Sequence, residues 1–165
     1  MNIFYLSINP KNCAIYHCDK HCVKMILETC QLLYTCLWLT TPKLIDNAPL
    51  NNSGNQGYKK SFQNHPCAIW VRESIQNYNW LCQMGLFLCH EYSYRYQKIH
   101  SCQKHLEWLS KQIPILPNIK MTPIRQAMPD KYKGKNSVIA YRKYYMGEKK
   151  YFCKWTGRNI PHWFK

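Results

Sequence analysis

The stretch from Tyr16 to Leu37 constrains the fold most, because its apolar residues recur at the spacing of one face of an α-helix. The residues on this face are Val23, Ile26, Leu27, Cys30, Tyr34 and Leu37. The residues on the opposite side, one turn apart from each other, are His17, His21, Lys24 and Glu28. A helix with one apolar face needs other elements to cover it, so the stretch predicts a helical core.

Asp19 does not fit this pattern, since a continuous helix would point its carboxylate toward the apolar face. Burying an unpaired carboxylate is unfavourable, so the group needs a cationic or hydrogen-bonding partner. We expect Asp19 to lie in a pocket with at least one of four cationic side chains. These are His17, His21, His65 and Arg142. An alternative is a solvated helix face on which Asp19 only caps a helix start.

The length of 165 residues predicts a single globular domain, residues 1–165, around one hydrophobic core. No segment approaches the roughly 20 apolar residues of a membrane span, and no secretory signal is visible. Ten cysteines would indicate disulfides in a secreted protein, but Cys30, Cys82 and Cys89 fall at apolar positions of helical patterns. We therefore expect reduced and buried thiols, an intracellular protein and no membrane partner.

The net charge of +15 is concentrated in the second part of the chain. Residues 98–165 contain fifteen Lys and Arg but only three acidic residues, with Tyr and Trp interleaved. This distribution favours nucleic acid as the partner, since neutralising phosphates is the usual role of such a field. An alternative is a lysine-biased coding sequence whose charge serves no partner.

Helix-start signals and apolar periodicity predict a mainly α fold, a compact bundle of four or five helices. The expected helices lie at about 10–40 (one helix, or two that meet near Asp19), 64–96, 101–113 and 136–154. The residues expected outside helices are an apolar lead at 1–8, a surface loop at 42–64, a proline-rich extended segment at 114–129 and a docked tail at 157–164.

Two further groups of residues are candidates for binding phosphate, besides Lys24. The first lies at the expected helix start near Asn64, where free backbone N–H groups attract anions, and consists of Asn64, His65, Trp70 and Arg72. The second is a strip of cations and aromatic rings that suits a phosphate and a base, and consists of Arg142, Tyr145, Lys149 and Arg158. The alternatives are a capped helix for the first group and an ordinary core face for the second.

A zinc site must be considered because five metal-binding side chains lie close together. They are Cys13, His17, Cys18, His21 and Cys22. The histidine pair and the pair Cys18/Cys22 point about 100° apart on a helix, so they cannot bind one ion together. No second pair with zinc-site spacing follows, and we expect neither a metal nor another cofactor.

Four sequence strings occur together in one protein family: YHCDKH at 16–21, NHPCAIW at 64–70, MPDKYK at 128–133 and AYRKYY at 140–145. With these strings the chain resembles a family of small uncharacterised proteins encoded by bacteriophages and large DNA viruses. The resemblance implies a viral origin, and hence a location in the host cytoplasm, the nucleus or the virion, but it implies no activity. Position 22 is often valine in that family, which shifts weight from Cys22 to His17, Asp19, Lys20 and His21.

The leading hypothesis is a viral protein that binds DNA and processes it by cleaving a glycosidic or phosphodiester bond. In this hypothesis His17 or His21 acts as the acid or base, and Asp19 orients it. Lys20 or Lys24 stabilises the anionic transition state. A buried lysine that forms a Schiff base is another route to glycosidic cleavage.

Two other classes of function stay open. One is a non-catalytic protein that binds DNA or packages it in the virion, with the histidines and lysines gripping phosphate. The other is an enzyme or binder of a nucleotide or another small anion, with the phosphate at the helix start near Asn64. A steep salt dependence of DNA binding without any product favours the first of these, and weak duplex affinity favours the second.

Replacing Lys143, Lys149, Lys150 and Lys154 with Gln should weaken DNA binding across all sequences, because these lysines lie in the strongly basic part of the chain. For each phosphate that is no longer neutralised, the negative slope of log K against log salt concentration should become less steep by about 0.9. Fluorescence anisotropy over a salt series measures both quantities. An unchanged affinity and slope would refute a DNA-binding role for these lysines.

Overall fold

A computed structural model describes residues 1–165 and shows a mainly helical fold without β-strands, which confirms the predicted fold class. The α-helices are α1 (Pro10–Tyr16), α2 (Asp19–Thr40), α3 (Pro66–Val71), α4 (Ile75–Tyr96), α5 (Gln103–Leu109) and α6 (Ser137–Glu148). Three short 3₁₀ helices lie at Pro42–Asn47 after α2, at Asp130–Tyr132 before α6 and at Lys150–Phe152 after α6. The two long helices, α2 and α4, pack against each other, and α1, α3 and α5 pack around them.

The buried face of α2 differs from the predicted one. Its buried residues include Cys22, Met25, Ile26, Glu28, Thr29, Cys30, Leu33 and Leu37. Val23 and Leu27, which were expected in the core, are more than one-third exposed. Glu28, which was expected on the polar side, is buried. The helix is therefore rotated relative to the prediction, and two apolar side chains are left on its outer face.

The predicted helix 64–96 is wrong, because the chain breaks between α3 and α4. Ser74 begins a new helix by accepting a hydrogen bond from the backbone N–H of Asn77 at 3.1 Å. The Asn77 side chain donates to the carbonyl of Trp70 at 2.7 Å and so satisfies an acceptor at the end of α3. Gly85, the expected kink, lies inside α4, where a Cβ would be only 2.8 Å from Thr29 and 2.9 Å from Leu106.

Helix boundaries elsewhere are shorter than predicted. Helix α5 ends at Leu109, which leaves Ile113 82% exposed, and α6 ends at Glu148 rather than near Lys154. Asn136 caps α6 with its side chain, as its residue type favours. The proline-rich segment 114–129 contains no helix, as predicted.

Both chain ends lie against the body of the protein. Ile3–Leu6 are buried without forming a strand. In the tail, Trp155 is buried and its indole N–H donates to the carbonyl of Tyr16 at 3.1 Å, while Trp163 and Phe164 are half-buried. The predicted docking of the tail is confirmed.

One helix, α2, is long and apolar enough to cross a membrane by length and composition. This corrects the expectation that no segment comes near a membrane span. However, 67% of its most apolar window is buried among the other helices, and a core helix of a globular protein passes the same test. All ten cysteines are free, and nine of them are buried.

A buried arginine, Arg95 on α4, joins three helices through its guanidinium group. It donates to the carbonyls of Ile15 and His17 at 3.0 and 2.8 Å, at the break between α1 and α2. It also pairs with Asp19 at the start of α2 and with Glu91 one turn earlier on α4, both at 3.1 Å. Because its side chain is 0% exposed, these partners replace the water that a guanidinium otherwise needs.

Arg95→Met should lower the free energy of unfolding by about 3–5 kcal/mol, since it leaves Asp19 without its cation, removes one of the two arginines that pair with Glu91, and leaves the carbonyls of Ile15 and His17 without their donor. Arg125→Met is the matched control, because Arg125 pairs with Glu73 at 2.6 Å with 47% of its side chain exposed. That variant should be destabilised by about 1 kcal/mol or less. Urea denaturation of both variants measures the difference. Equal destabilisation would contradict the central role of Arg95.

Candidate active site

A cleft of about 1180 Å³ lies between the outer face of α2 and the loop that follows the first 3₁₀ helix. Helix α2 lines it with Val23, Lys24, Leu27, Glu28, Gln31 and Trp38. The opposite wall is rich in side-chain amides and hydroxyls and includes Asn51, Asn52, Asn55, Gln56, Tyr58 and Ser61. The cleft thus combines exposed apolar groups with hydrogen-bonding groups, as ligand pockets generally do.

The loop wall is attached to α2 by specific contacts. The indole N–H of Trp38 donates to the carbonyl of Tyr58 at 2.9 Å. Thr35 donates through Oγ1 to the carbonyl of Ser61 at 3.0 Å and accepts from its backbone N–H at 3.1 Å. Gly57 has φ +59° and lies so close to the ring of Tyr34 that a Cβ would clash with it. These contacts fix the width of the cleft at this end.

The groups with the clearest chemistry meet at Glu28. Its Oε1 lies 3.4 Å from Nζ of Lys24, one turn earlier on α2. Its Oε2 lies 3.7 Å from the amino group of Met1 and accepts the backbone N–H of Asn2 at 2.9 Å. A single carboxylate on the cleft wall therefore contacts two amines. An amine beside a carboxylate can act as a nucleophile, with the carboxylate as its proton acceptor.

His65 belongs to the same neighbourhood. It caps α3 through Nδ1, which accepts the backbone N–H of Cys67 at 3.2 Å. Partial burial and the positive charge of the amino terminus lower its pKa, while Glu28 opposes this shift. The sequence predicted that this helix starts near Asn64, but the structure places the capping residue at His65, and Asn64 is exposed.

The predicted catalytic histidines lie in the core and do not line the cleft. His17 is fully buried, and its Nδ1 lies 2.7 Å from the carbonyl of Cys13. His21 bonds through Nδ1 to the hydroxyl of Tyr145 at 2.7 Å and stacks on Phe4. Burial lowers the pKa of His17 to about 4 and that of His21 to about 3, so both are neutral at pH 7. Their contacts are those of packed core histidines.

Asp19 is only partly exposed, as predicted, but its partners differ from the four that were expected. Arg95 supplies the cation, and Thr156 in the tail donates to the carboxylate through its backbone N–H at 3.0 Å and its hydroxyl at 2.8 Å. None of the four expected side chains hydrogen-bonds to Asp19. His17 is linked to it only indirectly, because Arg95 also donates to the backbone carbonyl of His17. The contacts of Asp19 therefore tie the tail to α2.

The remaining predicted phosphate ligands are mostly engaged in structural contacts. Trp70 is buried and donates to Thr122, and Arg72 donates to the carbonyls of Gln63 and Ala68. Arg142 donates to the carbonyl of Leu6 and lies over the rings of Tyr16 and Trp163. Tyr145 is fully buried, and Arg158 pairs with Glu91 at 2.6 Å.

Lys20 and Lys149 differ from these residues, because neither forms an ion pair. Lys20 lies over the ring of Phe152 at 5.1 Å, and Lys149 lies over the ring of Tyr144 at 5.2 Å. Both are close to His21, since His21 lies 5.3 Å from the ring of Phe152 and its pKa is lowered in part by Lys149 and Lys24. Lys20 and Lys149 therefore lie near the start of α2, and Lys24, one turn further along that helix, pairs with Glu28.

A family model described as pyrimidine dimer DNA glycosylase matches residues 1–104, a segment that contains Met1, α2, Glu28 and the whole cleft wall. No curated protein and no solved structure is significantly similar to the chain.

The buried histidines predict a pH-dependent stability. An unfolded histidine titrates near 6.5, whereas His17 and His21 in the fold take up a proton only near pH 4 and 3. Between these values the unfolded chain binds more protons, so stability is complete above pH 6.5 and decreases as the pH falls. The decrease should reach about 1.4 kcal/mol per pH unit for each histidine.

Urea denaturation between pH 7 and 5 tests this slope. His17→Asn keeps a donor for the carbonyl of Cys13 without a titrating ring, so it should reduce the slope even if it lowers stability overall. His162→Asn, a change of an exposed histidine in the tail, should leave the slope unchanged. An equal slope in all three proteins would show that His17 is not buried in its neutral form.

Proposed function

The chain belongs to the pyrimidine dimer DNA glycosylase family, and we propose that it cleaves the glycosidic bond of a pyrimidine dimer in DNA with an amine nucleophile held by Glu28. The observation that carries the proposal is the pair of amines, from Met1 and Lys24, on one carboxylate at the cleft wall. This assignment replaces His17, Asp19, Lys20 and His21 as the proposed catalytic group. It keeps the Schiff base that the sequence suggested as one route, but it replaces the buried lysine with another amine at Glu28.

The reaction follows from the chemistry of an amine at C1′. The nitrogen lone pair forms a bond to C1′, the bond from C1′ to the pyrimidine nitrogen breaks, and its electron pair leaves with the base, which takes up a proton. Loss of one proton from the nitrogen, followed by opening of the sugar ring with protonation of O4′, then gives an iminium ion between the protein and C1′. Glu28 is placed to accept a proton from the amine and to return one to O4′.

The iminium ion also favours strand cleavage. It acidifies the hydrogen at C2′, and removal of that proton expels the 3′ phosphate by β-elimination. Glu28 is the carboxylate in reach of this step, since it contacts the amine that carries the sugar. The proposal therefore includes a lyase reaction after glycosidic cleavage.

The amino group of Met1 is the proposed nucleophile rather than that of Lys24. The side chain of Met1 is only 3% exposed, so its amine is held in place beside the carboxylate of Glu28. The side chain of Lys24 is 68% exposed and can follow a phosphate on the cleft rim. We assign Lys24, together with Lys20 and Lys149, to binding the DNA backbone.

The cleft provides space for bases that leave the duplex. A glycosylase cannot reach C1′ inside a stacked helix, so it extrudes nucleotides into a pocket. A cleft of about 1180 Å³ is large enough for more than one base. Its apolar rim at Val23, Leu27 and Trp38 offers surfaces for stacking, and the amide side chains of the loop offer hydrogen bonds.

Borohydride trapping tests the proposal, because it reduces an iminium ion to a stable covalent adduct. A duplex with one site-specific thymine dimer should give a protein–DNA adduct, and an undamaged duplex should give none. Peptide mapping should place the modification on the amino-terminal amine and not on Lys24. Glu28→Gln should lower the single-turnover rate by about 10²–10⁴-fold, since it removes the proton acceptor.

Glu107→Gln is the matched control, because Glu107 is exposed on α5 and its carboxylate accepts a hydrogen bond only from the side chain of Gln103. It should react like the wild type. Lys24→Gln should keep the adduct and weaken DNA binding. A duplex with an abasic site tests the amine nucleophile independently of the pyrimidine dimer. An adduct with the abasic duplex but not with the dimer duplex would support the amine nucleophile and reject the pyrimidine dimer as the substrate. No adduct with either duplex would refute the proposal.

A further inference from the structure

The amino-terminal residues are held by a part of the chain that lies outside the matched segment. The side-chain N–H of Asn2 donates to the carbonyl of Ala127 at 2.9 Å. Its Oδ1 accepts the backbone N–H of Ile3 at 2.8 Å and faces the hydroxyl of Tyr141 at 3.3 Å. Asn2 is therefore fixed on both sides of its amide, next to the residue that carries the amine.

Tyr141 is the centre of this arrangement. It lies on α6, is fully buried, and its hydroxyl accepts the backbone N–H of Ala127 at 3.1 Å. The hydroxyl proton has two acceptors, the carbonyl of Arg125 at 3.0 Å and Oδ1 of Asn2. Burial raises the pKa of Tyr141, so the hydroxyl keeps this proton throughout the physiological range. One side chain thus joins the 125–127 segment to the start of the chain.

Such a link matters because chain termini ordinarily fray. A nucleophile has to stay within a few tenths of an ångström of its productive position, and a displacement of 1 Å can lower a rate by 10²-fold. The amino group of Met1 has one direct contact with a side chain, at 3.7 Å to Glu28. The Met1 side chain packs against the core with 3% of its surface exposed, and the contacts of Asn2 add a restraint on the backbone next to the amine.

We infer that Asn2 and Tyr141 are positioning residues for the amine, so that α6 and the 125–127 segment complete an active site whose reacting groups lie in residues 1–28. The inference rests on the proposed amine chemistry. It assigns the part of the chain beyond residue 104 a role in the rate of the reaction in addition to its role in binding DNA.

Tyr141→Phe tests the inference, since it removes only the hydroxyl. The single-turnover rate of borohydride trapping at saturating DNA should fall about tenfold or more, while the dissociation constant for the DNA stays the same. Tyr78→Phe is the matched control, because Tyr78 is equally buried and its hydroxyl donates to Leu109 at 2.9 Å, away from the site. It should trap DNA at the wild-type rate with a similar change in Tm.

The wild-type protein tests the proposed amine chemistry, and the comparison of the two variants tests the positioning role of Tyr141. If it forms no adduct, the proposed amine chemistry fails. If it forms the adduct and Tyr141→Phe reacts as fast as Tyr78→Phe, the positioning role is wrong. Should Tyr141→Phe not fold, Asn2→Asp replaces it under the same criteria, because it removes the donor to Ala127 and keeps the size of the side chain. A slower rate together with weaker DNA binding by the same factor would also contradict positioning.

Discussion

The buried guanidinium of Arg95 sets the arrangement on which the rest of the fold depends. It reaches the chain break between α1 and α2 through two carbonyls and the first residue of α2 through Asp19. Because a buried cation keeps its partners at fixed distances, it sets where α2 begins and how the helix is rotated. The rotation decides that Val23, Lys24 and Leu27 face outward and that Glu28 lies where helix and chain start meet.

The chemistry of the site follows from this rotation. A carboxylate that is only 8% exposed is stable there because a lysine, an amino group and a backbone N–H surround it. The same three groups leave it poised to exchange protons with an amine. The buried start of the chain, Ile3–Leu6, anchors the amine from one side, and Tyr141 anchors it from the other. Fold stability and the proposed catalysis thus use the same contacts.

Sequence patterns correctly predicted those features of the fold that depend on neighbouring residues along the chain. The helical spacing from Asp19 to Leu37 and the prolines of 114–129 each act within a few residues, and both predictions of element type were correct. The partner of Asp19 could not be predicted, since Arg95 is 76 residues away and resembles any other helical arginine in the sequence. The break at Ser74 was missed because the apolar pattern continues across it.

The Glu28 site shows the same limit at the functional level. Glu28 and Lys24 were recognised as one turn apart, but no pattern indicates that the amino terminus folds back onto them. Catalytic histidines were predicted because several titratable residues lie close together in this stretch of sequence. The structure instead shows histidines in the core, where His21 packs on Phe4 and hydrogen-bonds to Tyr145. A residue's chemistry can be read from its type, whereas its role depends on long-range contacts.

The most direct measurement is a crystal structure of the borohydride-reduced complex with DNA that contains a single pyrimidine dimer. The account predicts a covalent bond from the amino-terminal nitrogen to C1′, with Glu28 in hydrogen-bonding contact and extruded nucleotides in the cleft beside α2. A bond from Nζ of Lys24, or DNA bound on a surface away from Glu28, would contradict it.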